Sequence, residues 1–185
     1  MPEFEISVEE DYIESLAKLR NPIIAIEELI WNSLDADATK VDVKLTFNQI
    51  GGLTKIQVTD NGMGIKYNEY MQAFGGLGGS AKKEMRLTSK GRIPHGKSGK
   101  GRFKAFGLGP SVTWTSRYLE NGKIQKFEIT GHRSHLKRFE VSEKKELKGK
   151  KTGVKVTVSG MADHFPSALD PASAVLELSK RLALY

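Results

Sequence analysis

The chain has 185 residues, 38% hydrophobic and 28% charged, a size and balance that suit one domain with a core, and no apolar run approaches a membrane span. It contains no cysteine, which excludes disulfide scaffolds and zinc-thiolate sites. Its net charge of +7 is uneven: nine Lys or Arg and one acid, Glu84, lie between Lys82 and Lys104, so that segment carries +8 and the rest of the chain −1.

The opening stretch, MPEFEISVEEDYIESL, is acidic and reads as neither a secretory signal nor a transit peptide. With the missing cysteines, this sets the expectation of a cytoplasmic protein, or a nuclear one in a eukaryote. Val8 to Leu19 has the pattern of a first helix. NPIIAIEELIWNSLDADA predicts a second, capped by Asn21 and started by Pro22, whose missing N–H costs nothing at the first helical position. KVDVKLTF and LTKIQVTD alternate apolar and polar residues, as half-buried strands do. NGMG is a turn, and KYNEYMQAF a short helix. From Gly75 to Gly101 the chain is long, polar and glycine-rich, the signature of a lid or binding loop. GRFKAFGLG returns to a helical pattern. SVTWTSRY, GKIQKFEIT and TGVKVTVSG read as further strands, with the basic stretch HRSHLKRFEVSEKKELKGKK between the last two. PASAVLELSKRLALY is helical and carries no stop signal, which gives the expectation of an N-terminal fragment of a longer protein. Runs of strands not separated by helices favour an α+β layer over a doubly wound sheet.

GRIPHGKS, residues 91–98, matches the P-loop string G-x-x-x-x-G-K-S letter for letter. A P-loop needs a buried strand before it and a helix directly after its Lys. KKEMRLTSK is too polar for that strand, and SGKGRFK delays the helix with two more glycines. The context therefore counts against a P-loop NTPase, which stays as a rival reading.

Three other motifs carry chemistry. In EELIWNSLDA, Glu28 and Asn32 are four apart and share one helix face, which Asp35 continues; Ile26, Leu29, Ile30 and Leu34 can face a core. A carboxylate in a cleft can orient water toward phosphorus, and an amide oxygen is a hard ligand for Mg2+. In VTDNGMG, Asp60 ends a strand, where it can accept a hydrogen bond from the exocyclic amine of adenine and repel the carbonyl of guanine. Gly62 and Gly64 let the backbone pass under a flat base. Read alone, the same motif is a hairpin with an Asn-Gly turn. In GKSGKGRF, Gly96, Gly99 and Gly101 precede a helix, where N–H groups and the positive dipole end hold phosphates; Lys97, Lys100 and Arg102 add formal charge.

In this order the three motifs resemble the GHKL ATPase superfamily, which includes type II topoisomerase ATPase domains, heat-shock chaperones, sensor histidine kinases and MutL-type repair proteins. EELIWNSLDADAT looks like the MutL and chromatin-remodelling MORC branch. DNGMGI is similar to the family's adenine motif, and GKSGKGRF to its phosphate-lid motif G-x-x-G-x-G. GGLGGSAKK resembles the S-x-K segment before the lid, and KTGVKVTV the late strand whose Thr assists at the adenine. Lys151 stands where the family has a Gly before that Thr. The lid motif also departs from the G-F-R-G-E-A form usual in the repair branch. The resemblance covers about residues 8–160.

It implies a Bergerat-type two-layer α/β sandwich: a mixed, mostly antiparallel sheet with helices on one face and a long ATP lid over about 75–101, all within one domain spanning 1–185. It implies Mg2+-dependent hydrolysis of ATP to ADP and phosphate that drives conformational change in a larger protein, with weak turnover in the isolated domain. Glu28 would be the general base and Asn32 the Mg2+ ligand. Asp60 would read adenine with help from Thr152; Gly62 and Gly64 would border the base. Gly96, Gly99 and Gly101 would cradle the phosphates, with Lys97 and Lys100 beside them. ATP-driven homodimerisation is an expectation for the full-length protein. The basic segments admit DNA contact, though no aromatic stacking pattern accompanies them. The rival readings are a non-hydrolysing ATP-gated switch, a histidine kinase catalytic domain and a nucleic-acid-binding module.

Overall fold

In the computed structural model, which describes residues 3–5, 14–15, 17–18, 21–75, 87–95, 101–161 and 169–183, the alternating segments pair into one eight-stranded sheet. Its strands are β1 (Glu3–Glu5), β2 (Val41–Phe47), β3 (Leu53–Asp60), β4 (Ser111–Glu120), β5 (Lys123–His132), β6 (Arg138–Val141), β7 (Lys145–Leu147) and β8 (Gly153–Ser159). The order is β1-β6-β5-β4-β8-β3-β2, with β7 also paired to β5. Every pairing among the described residues is antiparallel. The helices are α1 (Pro22–Asp35), α2 (Tyr70–Gly75), α3 (Gly101–Lys104) and α4 (Pro171–Leu182). The architecture is the expected α+β layer.

The register explains why helices cover only one face. Ile56, Val158 and Val112 line up across β3, β8 and β4, as do Val58, Val156, Trp114 and Ile129 across β3, β8, β4 and β5. All of these are buried. The alternate positions form polar rows such as Gln57, Thr157, Thr113 and Thr130, and within them Gln57 donates to Thr157 at 3.3 Å. Period-two alternation therefore sorts the sheet into one apolar and one polar face.

Helix α1 lies on the apolar face. Its start is set as expected: the Asn21 side chain accepts the Ile23 N–H at 2.9 Å, and Pro22 opens the first turn. Ile23, Ile26, Leu29 and Ile30 are buried in the core cluster, with Leu34 packed against it. A second block of the core is aromatic: Phe74, Phe106 and Phe139 surround Trp114, with ring centroids 5.1 to 6.1 Å from it. Each such buried side chain contributes roughly 1.5–3 kcal/mol relative to exposure, so this block fixes α2 and the segment after α3 to the sheet.

Three strands differ from the reading of the sequence. β1, β6 and β7 are three to four residues long, too short to show a period, and β6 and β7 lie inside the basic stretch. The helix expected over Val8 to Leu19 falls mostly outside the described residues; Glu14, Ser15 and Ala17 are helical. The Asn61-Gly62 step is not a hairpin turn, because β3 pairs with β2 and β8 and the chain runs on to a 3-10 turn at Tyr67–Glu69.

Candidate functional site

Asp60 is held by three hydrogen bonds from three segments. Its Oδ1 accepts the N–H of Gly62 at 2.8 Å and of Val154 at 3.1 Å. Its Oδ2 accepts the Ser33 hydroxyl at 3.1 Å. The buried Ser33 hydroxyl also lies 3.0 Å from the Leu29 carbonyl, so it joins α1 to the end of β3. Burial pushes the Asp60 carboxyl above its ordinary value, against the downward pull of the Gly62 and Val154 N–H groups and the Ser33 hydroxyl. Oδ2 keeps acceptor capacity beyond the Ser33 bond.

The backbone around Asp60 requires glycine at three places. Gly62 would put a Cβ 2.6 Å from the Ala36 carbonyl oxygen. Gly153, at φ +132°, would put a Cβ 2.1 Å from the Asp60 carbonyl oxygen. Gly64, at φ +76°, would put one 2.2 Å from the Arg117 carbonyl oxygen. The half-buried Thr152 directly precedes Gly153, so the start of β8 lies beside Asp60, as the late-strand motif implied. Gly62, buried, is fixed by its bond to Asp60.

Glu28 sits on the same helix, five positions before Ser33, or about 7.5 Å along its axis. Gly101 packs on it: a Cβ there would lie 2.7 Å from Glu28 Oε1 and 2.6 Å from its Cγ. The first motif and the last glycine of the third therefore meet. Lys104, one turn on in α3, donates from Nζ to Glu28 Oε2. Asn32 is half-buried on α1, one turn beyond Glu28. Gly96, Lys97, Gly99 and Lys100 lie outside the described residues, as does the GSAKK end of the S-x-K segment.

Among the described residues no group of three or more His, Cys, Asp or Glu could hold a metal ion. A Mg2+ ion here would take Asn32's amide oxygen, water and phosphate oxygens. That donor set suits an ion that keeps waters and is bound largely through substrate phosphates.

The described cations of the basic segment are engaged by the protein itself. Of the segment's nine cations, Lys90, Arg92, Arg102 and Lys104 are described, and all four contact the protein. Lys90 Nζ donates to the Asp37 carbonyl at 2.9 Å. Arg92 Nη1 donates to the carbonyls of Ala38 at 2.7 Å and Leu34 at 3.3 Å. Both donate to backbone carbonyls in the last turn of α1 or just beyond it. Arg102, expected to add charge at the phosphates, is instead buried; it donates to the Ala73 carbonyl at 3.2 Å and lies 4.7 Å from the centre of the Phe103 ring. Burial pushes its guanidinium down to about 10, still charged at neutral pH.

Sequence reasoning missed five residues that build the site: Ser33, Asp37, Thr88, Lys104 and Gly153. Asp37, at φ +61° and 3% exposed, holds the segment around Thr88 and Lys90. Its carboxylate accepts the Thr88 hydroxyl at 2.6 Å and the Lys90 N–H at 3.2 Å. Next to it, Asp35 accepts the His95 N–H at 2.9 Å and Trp31 stacks on His95 at 4.3 Å. The second acid of DADA was the available signal, since an Asp at positive φ after a helix commonly bonds nearby backbone.

Comparison with known proteins places the chain in a family. The family described as "Histidine kinase-, DNA gyrase B-, and HSP90-like ATPase" matches residues 21–157, roughly three quarters of the chain. A protein described as "Putative MutL protein homolog 1", from Schizosaccharomyces pombe, is 51% identical over 51 residues, 28% of this chain and 7% of that protein. The DNA mismatch repair protein MutL of Thiobacillus denitrificans is 43% identical over 56 residues, 30% of this chain and 9% of that protein. Its counterpart from Lacticaseibacillus casei is 39% identical over 56 residues, 30% and 8% respectively. The matched stretch thus spans less than a tenth of these relatives. The family match extends from the cap of α1 to β8 and takes in every described site residue, so the chain belongs to the histidine kinase-, DNA gyrase B- and HSP90-like ATPases.

Proposed function

We propose that this chain binds ATP with Mg2+ between α1, the end of β3 and the start of α3, and hydrolyses it to ADP and phosphate. The observation that carries the reading is the common attachment to α1: Ser33 bonds Asp60, while Glu28 packs against Gly101. A base-reading carboxylate and a phosphate-proximal carboxylate are thereby held at a set spacing on one rigid element. Asp60 Oδ2 accepts the adenine amine, and Gly62, Gly64 and Thr152 border the base. Gly101 presents backbone to the phosphates without a side chain, beside Gly96, Lys97, Gly99 and Lys100. Glu28 orients the attacking water and takes its proton. Asn32 holds the metal, and bound Mg2+ supplies charge neutralisation to the phosphate oxygens. Positioning and charge carry most of phosphoryl transfer, so little further machinery is required.

For the whole protein we propose that ATP drives a conformational change, with dimerisation of two copies and DNA contact through the basic stretches as its partners. The three relatives named above are MutL proteins, two of them DNA mismatch repair proteins, which supports a repair-like setting. A steep fall in DNA affinity with salt would be the sign of that contact.

The decisive experiment compares ATP and GTP affinity, with and without Mg2+, in the wild type and Asp60→Asn. Asparagine can keep its oxygen on the Gly62 and Val154 N–H groups, which turns its NH2 toward the position that Oδ2 holds. Two donors then oppose each other at the adenine amine. ATP affinity should fall about 10- to 100-fold, while GTP should lose less or gain. Equal ATP binding by both proteins would defeat the adenine assignment.

A further inference from the structure

Glu28 cannot be treated as a free base, because Lys104 lies on it. The pair is partly shielded, with side-chain exposures of 18% for Glu28 and 28% for Lys104. The ammonium of Lys104 occupies one of the two carboxylate oxygens that a base would use on water. The arrangement is built from two directions: Gly101 presses on Glu28 Oε1, while Lys104, three residues later in α3, holds Oε2. A water attacking a phosphate would sit roughly 3 Å from the carboxylate, with phosphorus roughly 3 Å beyond it. The ammonium of Lys104 is then within a side-chain rotation of the terminal phosphate, since lysine is a compact charge on a flexible four-carbon stem.

We propose that Lys104 senses the terminal phosphate from within this domain: it pairs with Glu28 when that phosphate is absent and transfers to it when ATP binds, freeing Glu28 to act on water. The inference deepens the nucleotide reading above and depends on it. The exchange follows from charge, because a terminal phosphate offers more negative charge and more acceptor oxygens than one carboxylate. ADP lacks that phosphate, so Lys104 stays on Glu28 in the ADP state. The site thus distinguishes substrate from product by which acceptor holds one ammonium.

The test is calorimetric titration of the 185-residue chain with ADP and with a β,γ-imido analogue of ATP, both with Mg2+, at fixed ionic strength. For Lys104→Met, analogue affinity should fall about tenfold or more while ADP affinity stays within about twofold. Lys104→Arg should keep most of the preference. Glu28→Gln, which leaves the ammonium without its anionic partner, should tighten the analogue but not ADP, and adding Lys104→Met should erase that gain. Equal shifts for the two nucleotides, or none, would reduce the pair to a structural salt bridge and overturn the proposal. If Lys104→Met loses its circular dichroism signature, the Glu28→Gln arm decides: no analogue-selective gain overturns it. A wild type that binds neither nucleotide would instead sink the parent reading, while binding without discrimination by the variants sinks only this one.

Discussion

The two ends of the proposed site are built differently. At the Asp60 end the partners are two backbone N–H groups and one buried hydroxyl, from three separate segments, and Gly153 and Gly64 pack with no room for a Cβ. At the Glu28 end the principal partner is a half-buried lysine on a helix of four residues. Backbone donors cannot turn away, whereas a lysine can rotate and find another anion. The fold therefore fixes the Asp60 carboxylate in advance and leaves Glu28 under a removable charge. On the proposed reading, rigidity at Asp60 serves recognition of the base, and the exchangeable contact at Glu28 serves the chemistry.

The sharpest way to break this contrast is to remove the group at the adaptable end. Glu28→Ala should lower ATP turnover by about 100-fold or more, while ATP affinity is retained or improved because Lys104 is freed. Phosphate release measured beside equilibrium binding checks both halves. Undiminished turnover would remove Glu28 from the chemistry and with it the distinction between the two ends.

The next effect is on stability and belongs to the rigid end. Gly153→Ala forces a Cβ to 2.1 Å from the Asp60 carbonyl oxygen at a backbone angle of +132°. Clash and strain together should cost on the order of 3 kcal/mol, lowering Tm by roughly 6–12 °C for a chain of this size. Gly149 is the control: it has a similar angle, +137°, with nothing within 4 Å. Gly149→Ala should cost only the strain, about 1 kcal/mol. Equal thermal shifts in the two variants would show that packing against Asp60 contributes nothing.

How far each end could be read in advance follows from how local its determinants are. The α1 cap, its apolar stripe and the Glu28–Asn32 face all follow from spacing within one helix, so they were legible. Asp60 was legible as a carboxylate ending an alternating strand before glycines. What it bonds to was not: Ser33 lies 27 positions away and Val154 94, and only docking of α1 on the sheet brings them together. The Glu28–Lys104 pair spans 76 positions and the Asp37–Thr88 bond 51. Charge counting misled for the same reason, since Arg102 looked like added charge at the phosphates until the Ala73 carbonyl it serves was in place. The P-loop string is the converse case: GRIPHGKS matches over eight letters, yet its described part is pinned to the end of α1 through Arg92 and His95.

The smallest expected effect tests whether rigidity at Asp60 is costly. Burial raises the folded-state carboxyl above its ordinary value even though two N–H groups and a hydroxyl favour the anion. A raised folded value means that the native chain holds this proton more tightly than the unfolded chain. At pH below the unfolded value both states are protonated and the group costs nothing. As pH climbs through the raised folded value, the native state must give up the proton against its preference, and that part of the stability is lost. The amide introduced by Asp60→Asn cannot ionise. Urea midpoints of variant and wild type should therefore diverge in the variant's favour from about pH 4 upward and level off once Asp60 is fully ionised. Taking the difference removes the other carboxylates, which titrate alike in both proteins. A gap that narrows with rising pH would mean that Gly62, Val154 and Ser33 outweigh desolvation, and that the recognition end is held by its hydrogen bonds at no cost to the fold.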